Sequence, residues 1–185
     1  DLIIGKNGKY LDYKINISKG EHLEEIFEEY ERIHINATND IISLLIDGQL
    51  RFKPQNINNA SYGCHFSNDD AEIEWNDKSV SIFNLIRSQS FPYAGAYLYY
   101  NGEKVHIQRA RIRRDYANYL GRVPGKVVTR DKVNNSAIIL SGDSAIEIIA
   151  LNDRNGEKLE PYKFFSSIRL RCKNRLDSYL DEIGY

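Results

Sequence analysis

The chain has 185 residues, of which 42% are hydrophobic and 28% charged, and its formal net charge is −1. This composition is ordinary for a globular protein with one full core and a smaller second unit. No apolar run reaches the roughly 20 residues that cross a bilayer, and the first residues lack the basic start and apolar core of a signal peptide. We therefore expect a cytoplasmic protein with no membrane partner.

Cysteine and methionine usage adds two expectations. Cys64 and Cys172 lie far apart and show no CxxC or Cys/His ligand spacing, which predicts buried free thiols and no metal site or disulfide. The chain contains no methionine and starts at Asp1. We expect that a segment upstream of this residue is missing.

The first elements in chain order are a hairpin and a helix. Asn7-Gly8 lies between the strand-like runs 2–5 and 10–17, which predicts a two-residue hairpin turn. Ser18 and Glu21 then form a capping box before a run of helical apolar period.

The predicted first helix ends at Gly48, because glycine is favoured just after a helix. We expect a break in it near residues 36–39, since an unbroken helix from the capping box would be about 42 Å long. Residues 49–61 are rich in amides and contain Pro54, which predicts an extended linker. A domain boundary is expected near residue 60.

The second half changes from helical to strand-like patterns. A helix is predicted over residues 78–88 and is stopped by Pro92. Asn101-Gly102 then predicts a hairpin between two strands. All the predicted strands are short and separated by turns, which suggests a small barrel; they cover residues 96–100, 103–110, 126–129, 137–140 and 145–151. A terminal helix is expected over residues 177–183.

Several short motifs occur in an order that is more specific than any one of them. They are Ile46-Asp47-Gly48, Lys53-Pro54-Gln55, Tyr62, Ile73-Glu74-Trp75, Asn84-Leu85-Ile86-Arg87, Pro92-Tyr93-Ala94-Gly95-Ala96, Pro124-Gly125-Lys126-Val127 and Ser141-Gly142-Asp143. This series resembles the C-terminal part of the methionyl-tRNA formyltransferase and nucleotide-sugar N-formyltransferase family. Ala94 stands where the family usually has a second proline, and Ser88 where it usually has an alanine.

The resemblance implies an α+β fold in two parts. Residues 1–60 would be a hairpin, helix and linker left from the C-terminal end of an α/β catalytic domain. Residues 61–185 would be a small, mostly antiparallel, OB-like β-barrel domain with a terminal helix. The family's donor, 10-formyltetrahydrofolate, would be bound by the missing N-terminal half.

The family's catalytic residues are expected outside this chain. The family uses an Asn and a His near a His-Pro-Ser segment and an Asp in a D-x-G turn, and none of the four histidines here lies in such a segment. The strand that starts at Leu2 resembles the one that follows the D-x-G turn. We therefore expect no catalytic residue in this chain, and no activity from it alone.

The acceptor stays open between three possibilities. The first expectation is the amine of a nucleotide-linked amino sugar, because Ala94 departs from the usual motif. The alternatives are methionyl-tRNA, or a stand-alone basic barrel that binds RNA without catalysis.

Two small sets of residues are candidates for binding. Tyr93 could stack on a substrate base or pack internally, and Arg87 could pair with Glu72 or Glu74 or contact a substrate phosphate. A basic segment could bind a polyanion, because cations that neutralise phosphates release counterions; its candidates are Arg109, Arg111, Arg113, Arg114 and Lys126.

Overall fold

The computed structural model describes residues 2–6, 9–10, 13–18, 20–54 and 56–184. The helices are α1 (Leu23–Ile46), α2 (Ser79–Gln89), α3 (Pro161–Phe164) and α4 (Arg175–Glu182). The strands are β1 (Leu2–Lys6), β2 (Lys9–Tyr10), β3 (Arg51–Pro54), β4 (Ala96–Tyr100), β5 (Glu103–Ile112), β6 (Val127–Asp131), β7 (Ser136–Leu140), β8 (Ala145–Asp153), β9 (Lys158–Leu159) and β10 (Cys172–Lys173).

Contacts within the chain separate two compact units. The first unit comprises Asp1–Glu21 and Glu25–Phe66, and the second comprises His22–Glu24 and Ser67–Tyr185. The three residues His22–Glu24 belong to the second unit because they contact it directly. The Nε2 atom of His22 accepts a hydrogen bond from the Ala110 amide at 3.3 Å, and its ring meets Phe83 edge-on.

The first unit contains a three-stranded antiparallel sheet in the order β2-β1-β3. The predicted hairpin pairing is confirmed, with Gly5 opposite Tyr10, while the turn Asn7-Gly8 lies outside the described residues. The predicted second strand is wrong for residues 13–17, which form no strand. The linker prediction is wrong for Arg51–Pro54, which pairs with β1. The polar sequence of this stretch did not indicate a strand. It can still form one, because an edge strand needs only backbone partners and tolerates a proline at its end.

Helix α1 is continuous, so the expected break near residue 36 is wrong. Its 24 residues span about 36 Å at 1.5 Å per residue. The hydroxyls of Thr38 and Ser43 donate to the carbonyls of His34 and Asn39 four residues earlier, at 2.8 and 3.0 Å. Polar side chains in mid-helix are thus bonded to the helix itself and do not interrupt it.

The second unit is a curled, wholly antiparallel sheet in the order β10-β4-β5-β8-β7-β6, with β9 added beside β8. The predicted small barrel is confirmed as a half-barrel. Its concave face and α2 enclose one apolar core, which includes Ile73, Trp75, Ile82, Ile86, Leu98, Ile107, Ile139, Ile146, Ile148 and Phe165. Strand β7 is buried on both faces, because a second small cluster containing Ile138 and Leu140 covers its other side.

The turn between β7 and β8 fixes the start of α2. The carboxylate of Asp143 accepts a hydrogen bond from the Ser79 amide at 2.7 Å, which satisfies one of the free donors of the first helical turn. Gly142 must be a glycine, because a Cβ there would lie 2.1 Å from the carbonyl oxygen of Asn76. The Ser-Gly-Asp motif is therefore a junction between the barrel and its helix.

The two edges of the curled sheet meet at a seam, which we define as the bridge between Lys126 and Arg171 together with the hydrogen bond from the Cys172 amide to the Gly125 carbonyl at 2.8 Å. Cys172 is fully buried beneath this seam, whereas Cys64 is exposed. Both thiols are free, and the prediction that Cys64 is buried is wrong.

Helix α4 confirms the predicted terminal helix. Part of its apolar face is open, with Leu176 and Tyr179 more than half exposed. Within the described part of the chain, none of the helices combines the length and the apolar content that a bilayer crossing requires.

Candidate functional site

A cleft of about 840 Å³ opens in the second unit beside the loop that joins α2 to β4. Tyr93 on this loop is 55% exposed and lines the cleft together with Arg109 of β5. Phe91 also lines it, and the Phe91–Pro92 peptide bond is cis. Two of the sequence candidates, Tyr93 and Arg109, are thus brought to one place.

Gln108 of β5 holds the loop that carries Tyr93 through two hydrogen bonds. The side-chain amide of Gln108 donates to the Ala94 carbonyl at 2.5 Å, and its oxygen accepts from the Phe91 amide at 3.0 Å. Gly95 has φ +107, and a Cβ there would lie 2.7 Å from the Ile107 carbonyl oxygen. These contacts fix the backbone on both sides of Tyr93 and explain why the motif has a glycine at position 95.

The floor of the cleft mixes charges of both signs. Burial first, and Lys104 second, hold the pKa of His106 below its usual value, so its imidazole is neutral at pH 7. The charged lining residues are Arg109, Arg154, Lys158, Glu24, Asp153 and Glu160. An exposed phenol ring beside a guanidinium and several amides suits a ligand that combines a flat ring with an anionic group.

Arg111 and Arg113 converge on Glu147 of β8. Arg111 donates to the Glu147 carboxylate at 2.7 and 3.1 Å, and Arg113 donates to it at 2.9 Å. Ser136 adds a hydrogen bond at 2.7 Å, and Arg113 also pairs with Asp115 at 2.7 Å. Each of these two arginines already has a carboxylate partner.

Two opposing effects set the pKa of the Glu147 carboxyl. Glu147 is only 2% exposed, and burial alone would raise the pKa of its carboxyl. Hydrogen bonds from Arg111, Ser136 and Arg113 outweigh burial and hold the pKa below its usual value, while the pKa of both arginines is raised. Sequence reasoning missed Glu147, because a glutamate between two isoleucines of a strand is expected to face the solvent.

The remaining candidates are Arg114, Lys126 and Arg87. Arg114 is exposed in a 3₁₀ turn, and the Lys126 ammonium donates to the Arg169 carbonyl at 2.6 Å. Arg87 donates to the Asn84 side chain at 3.0 Å. The role of Arg87 stays a prediction. Binding of a polyanion by the five basic candidates also stays a prediction.

Sequence reasoning also missed a cationic pocket of about 420 Å³ at the seam, which is lined by Arg169, Arg171 and Lys173. The signal was present, because cations alternate with Leu170 and Cys172 over five residues, as on a strand with one basic face. Within the described ranges, no group of three side chains is arranged to hold a metal ion.

These features define a class of small antiparallel half-barrel domains with one packed helix and surfaces suited to anionic ligands. Residues 66–169, more than half of the chain, match the family described as formyl transferase, C-terminal domain. The chain belongs to this family. The resemblance inferred from the motifs is confirmed.

Curated relatives agree with this assignment. The methionyl-tRNA formyltransferase of Carboxydothermus hydrogenoformans is 27% identical over 130 residues, which is 70% of this chain and 40% of the relative. That of Syntrophomonas wolfei is 27% identical over 156 residues, which is 84% of this chain and 46% of the relative. The chain thus spans less than half the length of these relatives.

Solved structures share the fold. A variant of HypX from Aquifex aeolicus superposes with a TM-score of 0.64 at 17% identity, covering 86% of this chain and 28% of that one. HypX in complex with tetrahydrofolic acid gives a TM-score of 0.52 at 16% identity, covering 79% and 22%. At this level of identity the likeness concerns the fold alone.

Proposed function

We propose that this chain is the C-terminal part of an enzyme that transfers a formyl group from 10-formyltetrahydrofolate to an amine, and that its second unit binds the acceptor. Attack of the amine on the formyl carbon develops an oxyanion, which needs hydrogen-bond donors, and releases a proton, which needs a base. The family's Asn, His and Asp serve these needs. In this proposal they and the donor site belong to the part of the relatives that this chain does not span.

The cleft at Tyr93 and Arg109 carries the proposal of an acceptor-binding role. Gln108 holds the backbone of the Tyr93 loop against β5 through two hydrogen bonds, and the Tyr93 side chain is 55% exposed. An exposed aromatic ring can stack on a base, and a guanidinium that lines the same cleft can donate hydrogen bonds to a phosphate. Packing of Tyr93 into the core, the alternative from sequence, leaves its exposure unexplained.

An aminoacylated tRNA is the acceptor we propose first. The curated relatives described above are named methionyl-tRNA formyltransferase. The segment from Ser67 to Tyr185 carries 18 lysines and arginines against 16 aspartates and glutamates, whereas the rest of the chain is acidic. A local cationic excess favours a polyanionic partner. These points favour tRNA over the sugar acceptor that the sequence suggested first.

A nucleotide-linked amino sugar is the second candidate, and one observation favours it. Arg111 and Arg113, which a long phosphate track would use, are engaged by Glu147 and Asp115. The cleft volume of about 840 Å³ also falls within the range of small-molecule pockets.

The test is a titration of fluorescently labelled initiator methionyl-tRNA at several salt concentrations. Wild-type chain is compared with the double variant Tyr93→Ala, Arg109→Gln and with a surface control, Lys132→Gln. If about three phosphates are neutralised, the log-log slope of affinity against salt should be roughly −2 to −3. The double variant should lose about tenfold in affinity, as expected for one lost stacking and one lost charged contact.

A competition with uridine diphosphate-linked amino sugar separates the two acceptors. We expect the sugar nucleotide to displace tRNA only at millimolar concentration. Micromolar sugar-nucleotide binding lost in the double variant, with no tRNA binding below 10 µM, would replace the first candidate by the second.

The first unit is proposed to be the C-terminal end of the catalytic domain, in keeping with the assignment of residues 1–60 from the motifs. Ile35, Ile42 and Leu45 of α1 are 61%, 49% and 63% exposed. A helix with such apolar exposure is typical of an element that packs against further layers of a larger α/β unit.

A further inference from the structure

We propose that the cationic pocket at the seam binds a phosphate group. The pocket is bounded by the β4–β5 turn and by residues 169–173, and its volume is about 420 Å³. Arg169, Arg171 and Lys173 line it, together with Tyr99 and Asn101. It is separate from the cleft at Tyr93, since the two share no lining residue.

Strand geometry places the cations on one side. Lys173 lies opposite Tyr99 in the β10–β4 pair, and Cys172 between the two cations is fully buried. Because successive side chains of a strand point to opposite faces, Arg171 and Lys173 point away from the core that Cys172 enters. Two positive side chains are therefore held side by side by the backbone.

The backbone of this segment is fixed at several points. The Ser167 amide donates to the Tyr100 hydroxyl at 3.0 Å, and that hydroxyl donates to the Ser167 carbonyl at 2.9 Å. The Arg169 amide donates to the Ser167 hydroxyl at 3.1 Å, and the Arg169 carbonyl accepts from Lys126. A backbone held at these points needs little rearrangement when a ligand binds, which lowers the entropy cost of binding.

The charge of the pocket differs from that of the Glu147 cluster. Among the lining residues that the structure describes there is no carboxylate. In the same described part of the chain, the side chains of Arg169 and Arg171 form no ion pair, whereas Arg111 pairs with one carboxylate and Arg113 with two. The like charges of Arg169 and Arg171 repel each other, and a bound dianion removes that repulsion.

The donors present suit phosphate chemistry. Two guanidinium groups can each give a forked pair of hydrogen bonds to phosphate oxygens. The side-chain amide of Asn101 and the hydroxyl of Tyr99 are further donors at the rim. The volume accommodates a phosphate with its flanking ribose, so the group could come from an RNA backbone or from a nucleoside diphosphate.

The site has a mixed origin within the chain. Tyr99 and Asn101 fall inside the region that matches the family, whereas Arg171 and Lys173 follow its last matched residue, 169. The pocket is thus completed by a segment beyond the matched domain.

The experiment uses the full chain, with inorganic pyrophosphate as the first probe and tRNA as the second. The variant is Arg169→Gln, Arg171→Gln; glutamine keeps the Cγ of Arg171, which lies close to Gly125. The charge-matched control is Lys78→Gln, Lys132→Gln, since both lysines are exposed and line neither pocket. The melting temperatures of both variants are measured to establish that they fold.

Pyrophosphate should shift the backbone amide resonances of Gly102, Arg171 and Ser178 in nitrogen–proton NMR spectra of wild type and control. The shifts should be lost in the variant. If the phosphate belongs to RNA, the variant should also bind tRNA about tenfold more weakly, with a salt slope reduced by about 1.4 to 1.8 for two lost contacts. If only the pyrophosphate shifts are lost, the source is a nucleoside diphosphate.

The site proposal and the proposed function fail separately. Pyrophosphate shifts at the seam without any tRNA binding would leave the phosphate site standing and remove tRNA as the acceptor. Binding of tRNA that is equal in the variant and the control, together with no pyrophosphate shifts at the seam, would overturn the phosphate site alone.

Discussion

Removal of the Glu147 carboxylate should destabilise the second unit more than removal of any exposed carboxylate. Glu147 is 2% exposed and accepts hydrogen bonds from two arginines and Ser136. Breaking a buried ion pair by deleting one partner costs about 3 to 5 kcal/mol. Here the arginines are 58% and 29% exposed and can be rehydrated, so we expect about 2 to 3 kcal/mol for Glu147→Ala.

The assay is denaturant and thermal unfolding followed by the fluorescence of Trp75, the single tryptophan, which is buried in the second unit. The expected loss corresponds to a fall in melting temperature of roughly 6 to 15 °C for a domain of this size. Glu103→Gln, an exposed glutamate at the start of β5, is the control and should stay within about 0.5 kcal/mol of wild type.

A double-mutant cycle sharpens the test. In a background of Arg111→Ala, Arg113→Ala the further change Glu147→Ala should cost much less, because the paired charges are already gone. If Glu147→Ala alone lies within about 0.5 kcal/mol of wild type, the cluster contributes nothing and the reasoning from its geometry is refuted.

Four further predictions follow from the same structure. The difference in unfolding free energy between wild type and Glu147→Gln should shrink as pH falls below 4.5, the ordinary pKa of a glutamate. The Glu147 carboxyl has a lowered pKa in the folded state, so its contribution to stability is lost when it is protonated. Urea unfolding between pH 3 and 7 measures this, and a difference independent of pH contradicts it. Gly142→Ala should cost about 2 to 4 kcal/mol because its Cβ would collide with Asn76, whereas Gly63→Ala, which has open space, should cost far less; thermal melts compare them. Calorimetry with a stable folate analogue should detect no micromolar binding by this chain, since the donor site is proposed to lie elsewhere in the relatives. Hydrogen exchange should be faster in α1 than in β7, because α1 exposes its apolar residues and β7 is buried on both faces; equal protection would mean that α1 is stabilised by some other contact.

Much of the second unit could be predicted because its signals are local. Asn101-Gly102 determines a hairpin through its positive backbone angles, and the structure has both residues at positive φ. Alternating and continuous apolar runs gave the strands, and the motif glycines marked close approaches of the backbone. Such features are set by a few neighbouring residues.

The parts that sequence reasoning missed depend on partners distant in the chain. Strand β3 exists because β1, some fifty residues earlier, offers it backbone hydrogen bonds. Glu147 is recognisable as a buried hub only once β5 brings Arg111 opposite it. The basic candidates were grouped because they are close in sequence, whereas the sheet pairs Arg111 with Glu147 and places Lys126 at the seam opposite Arg171.

Opening of the seam can be measured by thiol labelling, because one cysteine lies beneath it and the other is exposed. Burial shields the Cys172 thiol and raises its pKa, so we expect its labelling to require opening of the seam, where the Cys172 amide donates to the Gly125 carbonyl. Cys64, which is exposed, is an intramolecular standard for the intrinsic rate of thiol labelling. The ratio of the Cys172 labelling rate to the Cys64 labelling rate therefore measures how often the seam opens. A phosphate bound by Arg169 and Arg171 should lower the Cys172 rate and leave the Cys64 rate unchanged.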